Sequence, residues 1–165
     1  MGDVLLSDLE DAYTRAMRNP KHEFSAGRTT YMYDGLHLWY ALPSGRVLCY
    51  PFAQIDSDGV TYAKASWKPA ADAKEWPRAR LWKGLACENI TQAVANDLLR
   101  HCMRECDKQG LDIVLTVHDE IVVECKTEDA QNAMTRLETI MCTPPKWAEG
   151  LPLNVEVNVM QRYGK

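Results

Sequence analysis

The stretch LDIVLTVHDEIVVEC, residues 111–125, holds two apolar, β-branched runs with only His118, Asp119 and Glu120 between them. Three residues cannot carry a crossover to a parallel neighbour, which takes a dozen or more. The runs must therefore pair as an antiparallel hairpin. Tight turns favour Gly, Asn, Asp or Pro, and His-Asp-Glu is a poor set by comparison. Strands this apolar predict a hairpin covered on both faces, with its tip close to the core. Ionisable groups there are costly to desolvate without a compensating partner. A divalent cation is such a partner, and adjacent carboxylates suit Mg²⁺. A solvent-exposed turn of the same sequence is the plainer reading, and the hairpin alone leaves both open.

Helices flank the hairpin. CENITQAVANDLLRHCMRECDKQG predicts a helix over 87–110, with Ile90, Val94, Leu98 and Cys102 on one face and Gly110 as its C-terminal stop. TEDAQNAMTRLETIMC predicts another, started by Thr127. TPPKWAEGLP reads as a loop, and LNVEVNVMQRYGK alternates like a final strand.

The first half differs. SDLEDAYTRAMRNP predicts a helix whose Ser7 and Glu10 have capping-box spacing, with Pro20 just past its end. Residues 28–66 alternate and are rich in aromatic and branched side chains. Asp34-Gly35 predicts a two-residue hairpin turn, and LPSGR and DSDG mark two more, so a meander of about four strands is expected. The class is α+β: an antiparallel sheet with helices packed on it, with an N-terminal helix and β-meander. A boundary near residue 85 separates 1–84 from 85–165 within one continuous compact fragment.

Residues 67–84, WKPAADAKEWPRARLWKG, fit neither period and read as a loop or short helix. Trp67, Trp76 and Trp82 mix there with Lys68, Lys74, Arg78, Arg80 and Lys83. Tryptophans packed under long cationic stems would explain the mixture. A nucleic-acid contact would also explain it.

Net charge sharpens this. The 165 residues carry −4 overall, which argues against tight non-specific DNA binding and leaves room for a local basic groove. No apolar run is long enough to span a bilayer, and the acidic N-terminus lacks a secretory h-region, so a cytoplasmic location and no membrane partner are expected. Six cysteines include no C-x-x-C pair. Cys102 and Cys106 share a helix face beside His101. They are read as reduced core residues, since further metal ligands are missing.

Taken in order, VHDE between two apolar strands resembles the third palm motif of family A DNA polymerases, the bacterial polymerase I type. ENITQAVANDLLRHCM resembles the helix before that motif, with Gln92 at the place of its DNA-contacting glutamine. GLPLNVEVNV resembles the family's last strand. LPSGRVLCYPF and LWKGLACEN resemble the phage and prophage branch. The likeness is strongest over 81–165. It implies a polymerase-palm-like fold and template-directed nucleotidyl transfer with Mg²⁺ or Mn²⁺. Asp119 would hold metal, Glu120 would support or bind it, and His118 would touch the primer end. Gln92, with Asn89, would meet the minor groove or position the hairpin. Primer–template DNA and dNTP are the implied partners. The family commonly has Asn four residues before the Gln; here Glu88 stands there and Asn89 follows.

Two family elements are missing. No D-[YF]-S-x-[IL]-E stretch supplies the other palm aspartate, for Asp34, Asp56 and Asp58 lie in turn sequences. No R-x-x-x-K-x-x-x-x-Y-G fingers helix is present. The resemblance therefore implies a C-terminal palm fragment, inactive alone, that meets an upstream polymerase half or self-associates. A non-catalytic module binding DNA or a replication protein on a palm scaffold is the alternative. An unrelated metal-dependent nuclease would need ligands that the scattered His22, His37 and His101 do not supply.

Overall fold

The computed structural model describes residues 2–64 and 76–164. It is an α+β structure, with antiparallel sheets and helices. The chain forms two compact units, Met1–Ala93 and Val94–Lys165.

The first unit opens with α1, Gly2–Arg18. Ser7 lies inside this helix, so the capping-box spacing does not mark its start. Such spacing recurs by chance wherever Ser and Glu alternate with apolar residues. Leu9, Ala12, Tyr13, Ala16 and Met17 are buried on one face, and α1 packs against β1 and β2. One sheet has the order β1 (Glu23–Ala26), β2 (Thr29–Tyr33), β3 (Leu38–Ala41), β4 (Val47–Tyr50). A second has β5 (Gln54–Asp56), β6 (Gly59–Ala63), β7 (Arg78–Leu81). The meander is thus larger than the expected four strands and divides between two sheets.

Asp34-Gly35 does not make a two-residue turn. Tyr33 pairs with Leu38, leaving a four-residue loop. The Asp34 carboxylate builds it, accepting from the Leu36 and His37 amides at 2.7 Å each and from the Trp39 indole at 2.7 Å. Those three donors, His37's amide first, hold the Asp34 carboxyl down at about 2. DSDG does form a tight turn, with Asp56 accepting from Asp58 and Gly59.

Tyrosine rings form the centre of this unit. Tyr13 of α1 meets Tyr31 of β2 edge-on at 6.0 Å, and Tyr31 meets Tyr40 of β3 at 5.9 Å. Tyr40 stacks on Tyr50 of β4 at 5.1 Å, and Tyr50 meets Tyr62 of β6 at 4.9 Å. All five are buried. Burial pushes each phenol above its ordinary range.

The segment read as loop contains β7. Its burial alternates, with Arg78 and Arg80 exposed, Ala79 half-buried and Leu81 buried. Four residues just after Pro77 are too short a run for period-2 patterning to stand out. Trp67, Lys68 and Lys74 lie outside the described residues.

α2, Lys83–Lys108, begins four residues earlier than expected and runs through the division between the units. Its first part is tied to β4. Asn89 donates to the Tyr50 hydroxyl at 3.0 Å, and Arg46 donates to the Ala93 carbonyl at 2.7 Å.

In the second unit α2 ends as its glycine foretells. Gly110 takes φ 69°, its amide reaches the Asp107 carbonyl and Leu111's reaches that of Cys106. This is the Schellman pattern, closed by a Leu111–Cys106 contact in the core. β8 (Asp112–Val117) and β9 (Glu120–Glu124) follow, then one turn of 3-10 helix at Thr127–Asp129 and α3, Ala130–Cys142. Among the described residues no side chain caps α3, contrary to the role read for Thr127. Cys102, Cys106, Leu111, Ile121, Ala133, Leu137 and Ile140 make the core. The two helix cysteines are core residues, and burial raises both thiols. Arg136 of α3 donates to the Gln109 carbonyl at the end of α2.

The expected final strand is not a strand. Residues 151–160 alternate between exposed and half-buried at Leu153, Val155 and Val157, yet they join no ladder among the described residues. Alternation reports which side chains pack, and a strand also needs an edge to bond to. Val157 packs on the core of this unit.

Candidate functional site

The β8–β9 hairpin carries the candidate site. Val117 pairs with Glu120, so the loop is His118-Asp119 and Glu120 opens β9. His118 takes φ 54°, at the first loop position, where a II′ hairpin requires positive φ. Histidine is among the few non-glycine residues enriched in that region.

The tip is not near the core. His118, Asp119 and Glu120 are all exposed, so the desolvation expected from the apolar strands does not arise. Ile113, Ile121 and Val123 face the core. Val114 and Leu115 are 51% and 42% exposed on β8. The ladder register shifts between Ile113 and Leu115, and this irregularity turns part of an apolar strand outward. One face of the hairpin is covered within the unit and the other is not.

The tip's three side chains differ in their engagement. Glu120 accepts from the Tyr163 hydroxyl at 3.0 Å. That bond holds the Tyr163 proton and raises the phenol above its usual range. Among the described residues no hydrogen bond or ion pair engages the Asp119 carboxylate, which therefore faces water. The donor set, two neighbouring carboxylates, fits a hard cation that keeps several of its waters. Among the described residues no three metal-binding side chains gather in one place. Tyr163 was not legible as a site residue, since a tyrosine near the end of an alternating segment carries no spacing that points to the hairpin.

The other candidate residues belong to the first unit. Gln92 is exposed on α2 and donates to Glu88 one turn earlier at 3.1 Å. Glu88 thus orients the glutamine amide. Asn89 spends its amide on Tyr50, away from solvent. Arg78 lies across β6, donating to the Thr61 hydroxyl at 2.8 and 3.1 Å and to the Phe52 carbonyl at 3.1 Å. Arg80 is exposed above Gly59, and Lys83 is the half-buried first residue of α2. An apolar cavity of about 200 Å³, lined by Leu9, Thr29, Pro43, Cys87 and Ile90 among others, includes none of these residues.

Comparison with known proteins bears on the hairpin and the helix together. The chain is similar to a phage DNA polymerase. It is 31% identical over 159 residues to the DNA polymerase of Bacillus phage SP02, a match that takes in 96% of this chain. The chain spans 24% of the length of that relative. No protein-family model matches the sequence. No solved structure matches it either. Among the described residues no helix is long and apolar enough to cross a membrane.

Proposed function

We propose that this chain is the palm part of a family A DNA polymerase of the phage and prophage type, contributing one carboxylate pair to a two-metal nucleotidyl-transfer site. The observation that carries the reading is the similarity to a phage DNA polymerase along nearly the whole chain. It is joined by an exposed hairpin tip whose Asp119 carboxylate has no protein partner among the described residues.

In this reading Asp119 is the metal-holding carboxylate. Glu120, kept in place by Tyr163, supports the site and offers its second oxygen. His118, exposed at the turn, donates to the primer end. Gln92 meets the DNA from α2, and Asn89 acts by holding that helix to Tyr50. Lys83, Arg78 and Arg80 contact the nucleic-acid backbone. Mg²⁺ or Mn²⁺, when bound, would stabilise the attacking and leaving oxygens. Two-metal transfer draws carboxylates from several elements, and this hairpin supplies one group of them. The remaining carboxylate and the nucleotide-binding helix come from another part of the polymerase, so the chain alone is inactive.

Two measurements test this. Primer extension is expected to be absent with the chain alone in Mg²⁺ and in Mn²⁺. Extension that vanishes in Asp119→Ala would refute the inactivity. Millimolar Mn²⁺ should broaden the amide signals of His118, Asp119 and Glu120, and Asp119→Asn should abolish most of that broadening. Equal broadening in the variant would favour a non-catalytic binding module.

A further inference from the structure

The geometry points to β7 as a platform for single-stranded nucleic acid, on which the indoles of Trp76 and Trp82 stack bases and Arg80 meets phosphate. The inference builds on the polymerase reading and can fail separately from it.

Four residues of alternating number, Trp76, Arg78, Arg80 and Trp82, run along and just beyond β7. All four are exposed, the two tryptophans by 58% and 55%. The extended path continues past the strand's first residue. Lys64 donates to the Pro77 carbonyl at 2.8 Å, one step beyond the Ala63–Arg78 pair. Trp76 precedes a proline, which holds it in extended backbone. In an extended chain alternate side chains share a face and stand about 6.8 Å apart. Trp76, Arg78 and Arg80 therefore share a face, and Trp82 lies beside it where the chain turns into α2.

The components are held in different ways. Arg78 is fixed by Thr61 and Phe52. Arg80 makes no hydrogen bond or ion pair among the described residues, and its guanidinium lies over Gly59. The Trp82 carbonyl accepts from Ala86 at the start of α2. Its ring lies so close over Gly84 that a Cβ there would sit 1.8 Å from it. That indole thus packs on the first turn of α2 while the residue stays largely exposed.

Exposed indoles beside an unpaired guanidinium match an anion carrying flat aromatic groups. A nucleic acid meets that description. Stacking on an indole requires a base out of its own stack, and bases in a duplex sit 3.4 Å apart along each strand. A single strand can splay its bases onto such a face, with phosphates passing over the arginines.

The test is fluorescence anisotropy with labelled oligo(dT) of about 12 nucleotides, within the site sizes that such proteins use. Trp76→Leu and Trp82→Phe should each weaken binding about 5-fold or more at low salt. Arg80→Gln should weaken it and lower the salt slope by about 0.7. Arg162→Gln and Trp147→Phe should leave it unchanged. Equal affinity for duplex, with no effect of the tryptophan variants, would overturn stacking. An unchanged slope in Arg80→Gln would overturn the phosphate contact. Loss of the Mn²⁺ response with intact oligo(dT) binding would sink the polymerase reading and spare this one, and the reverse pattern would do the opposite.

Discussion

The hydroxyl of Tyr163 donates to a carboxylate oxygen of Glu120 across 3.0 Å, joining positions 43 residues apart. This bond ties the extended C-terminal segment to the hairpin tip and leaves Asp119 beside it open. Because the folded phenol ionises above its usual value, the bond persists below about pH 10. It is lost as pH rises through the raised value. Titration of the Tyr163 ring carbon by NMR should show this rise, and Glu120→Ala should return the curve to that of an ordinary phenol. An unchanged curve would mean that the contact does not form in solution.

Asn89 of α2 donates to the buried Tyr50 hydroxyl. Asn89→Ala removes a donor from a buried hydroxyl, which costs about 1–3 kcal/mol. Urea unfolding should register that loss. Asn89→Leu combined with Tyr50→Phe should cost less than the sum of the single changes, since neither polar partner then remains.

Asp34 gives the first unit an acid limit. Its carboxyl is held at about 2 by the His37 amide, the Trp39 indole and the Leu36 amide. The lowered value places its contribution in full above the ordinary carboxyl range, near pH 4. That contribution declines as pH falls towards 2. Asp34→Asn should flatten this part of a stability-against-pH profile and uncouple the loop from acid. A profile identical to the parent's would show that the loop does not depend on the charge.

The hairpin tip is strained at His118, with φ 54°. His118→Asn should be near neutral for stability, because Asn tolerates this conformation. His118→Val should cost about 1–2 kcal/mol, because a branched Cβ does not. Thermal unfolding separates the two variants without reference to activity.

Some of this was legible in the sequence and some was not. The α2 stop at Gly110, the hairpin and the α+β class follow from short-range rules: a glycine for positive φ, a connection too short for crossover, and turn residues between alternating runs. The hairpin's exposure did not follow. Apolar content cannot say whether a neighbouring element covers a face, and the bulge at Val114 altered which residues point outward. The Asp34-Gly35 pair misled because an aspartate that accepts three hydrogen bonds dictates its own loop. β7 was hidden by its length, and the last segment by the lack of a bonding edge. Gln92 and Asp119 were reached through resemblance, and both are exposed, one on a helix and one in a turn.

The five buried tyrosines each come from a different element and each touches the next. A change at one rung therefore alters the environment of its neighbours, and substitutions along the series should couple instead of adding. Related sequences would then be expected to vary these positions in adjacent pairs, so that the spine drifts as a set or stays as it is.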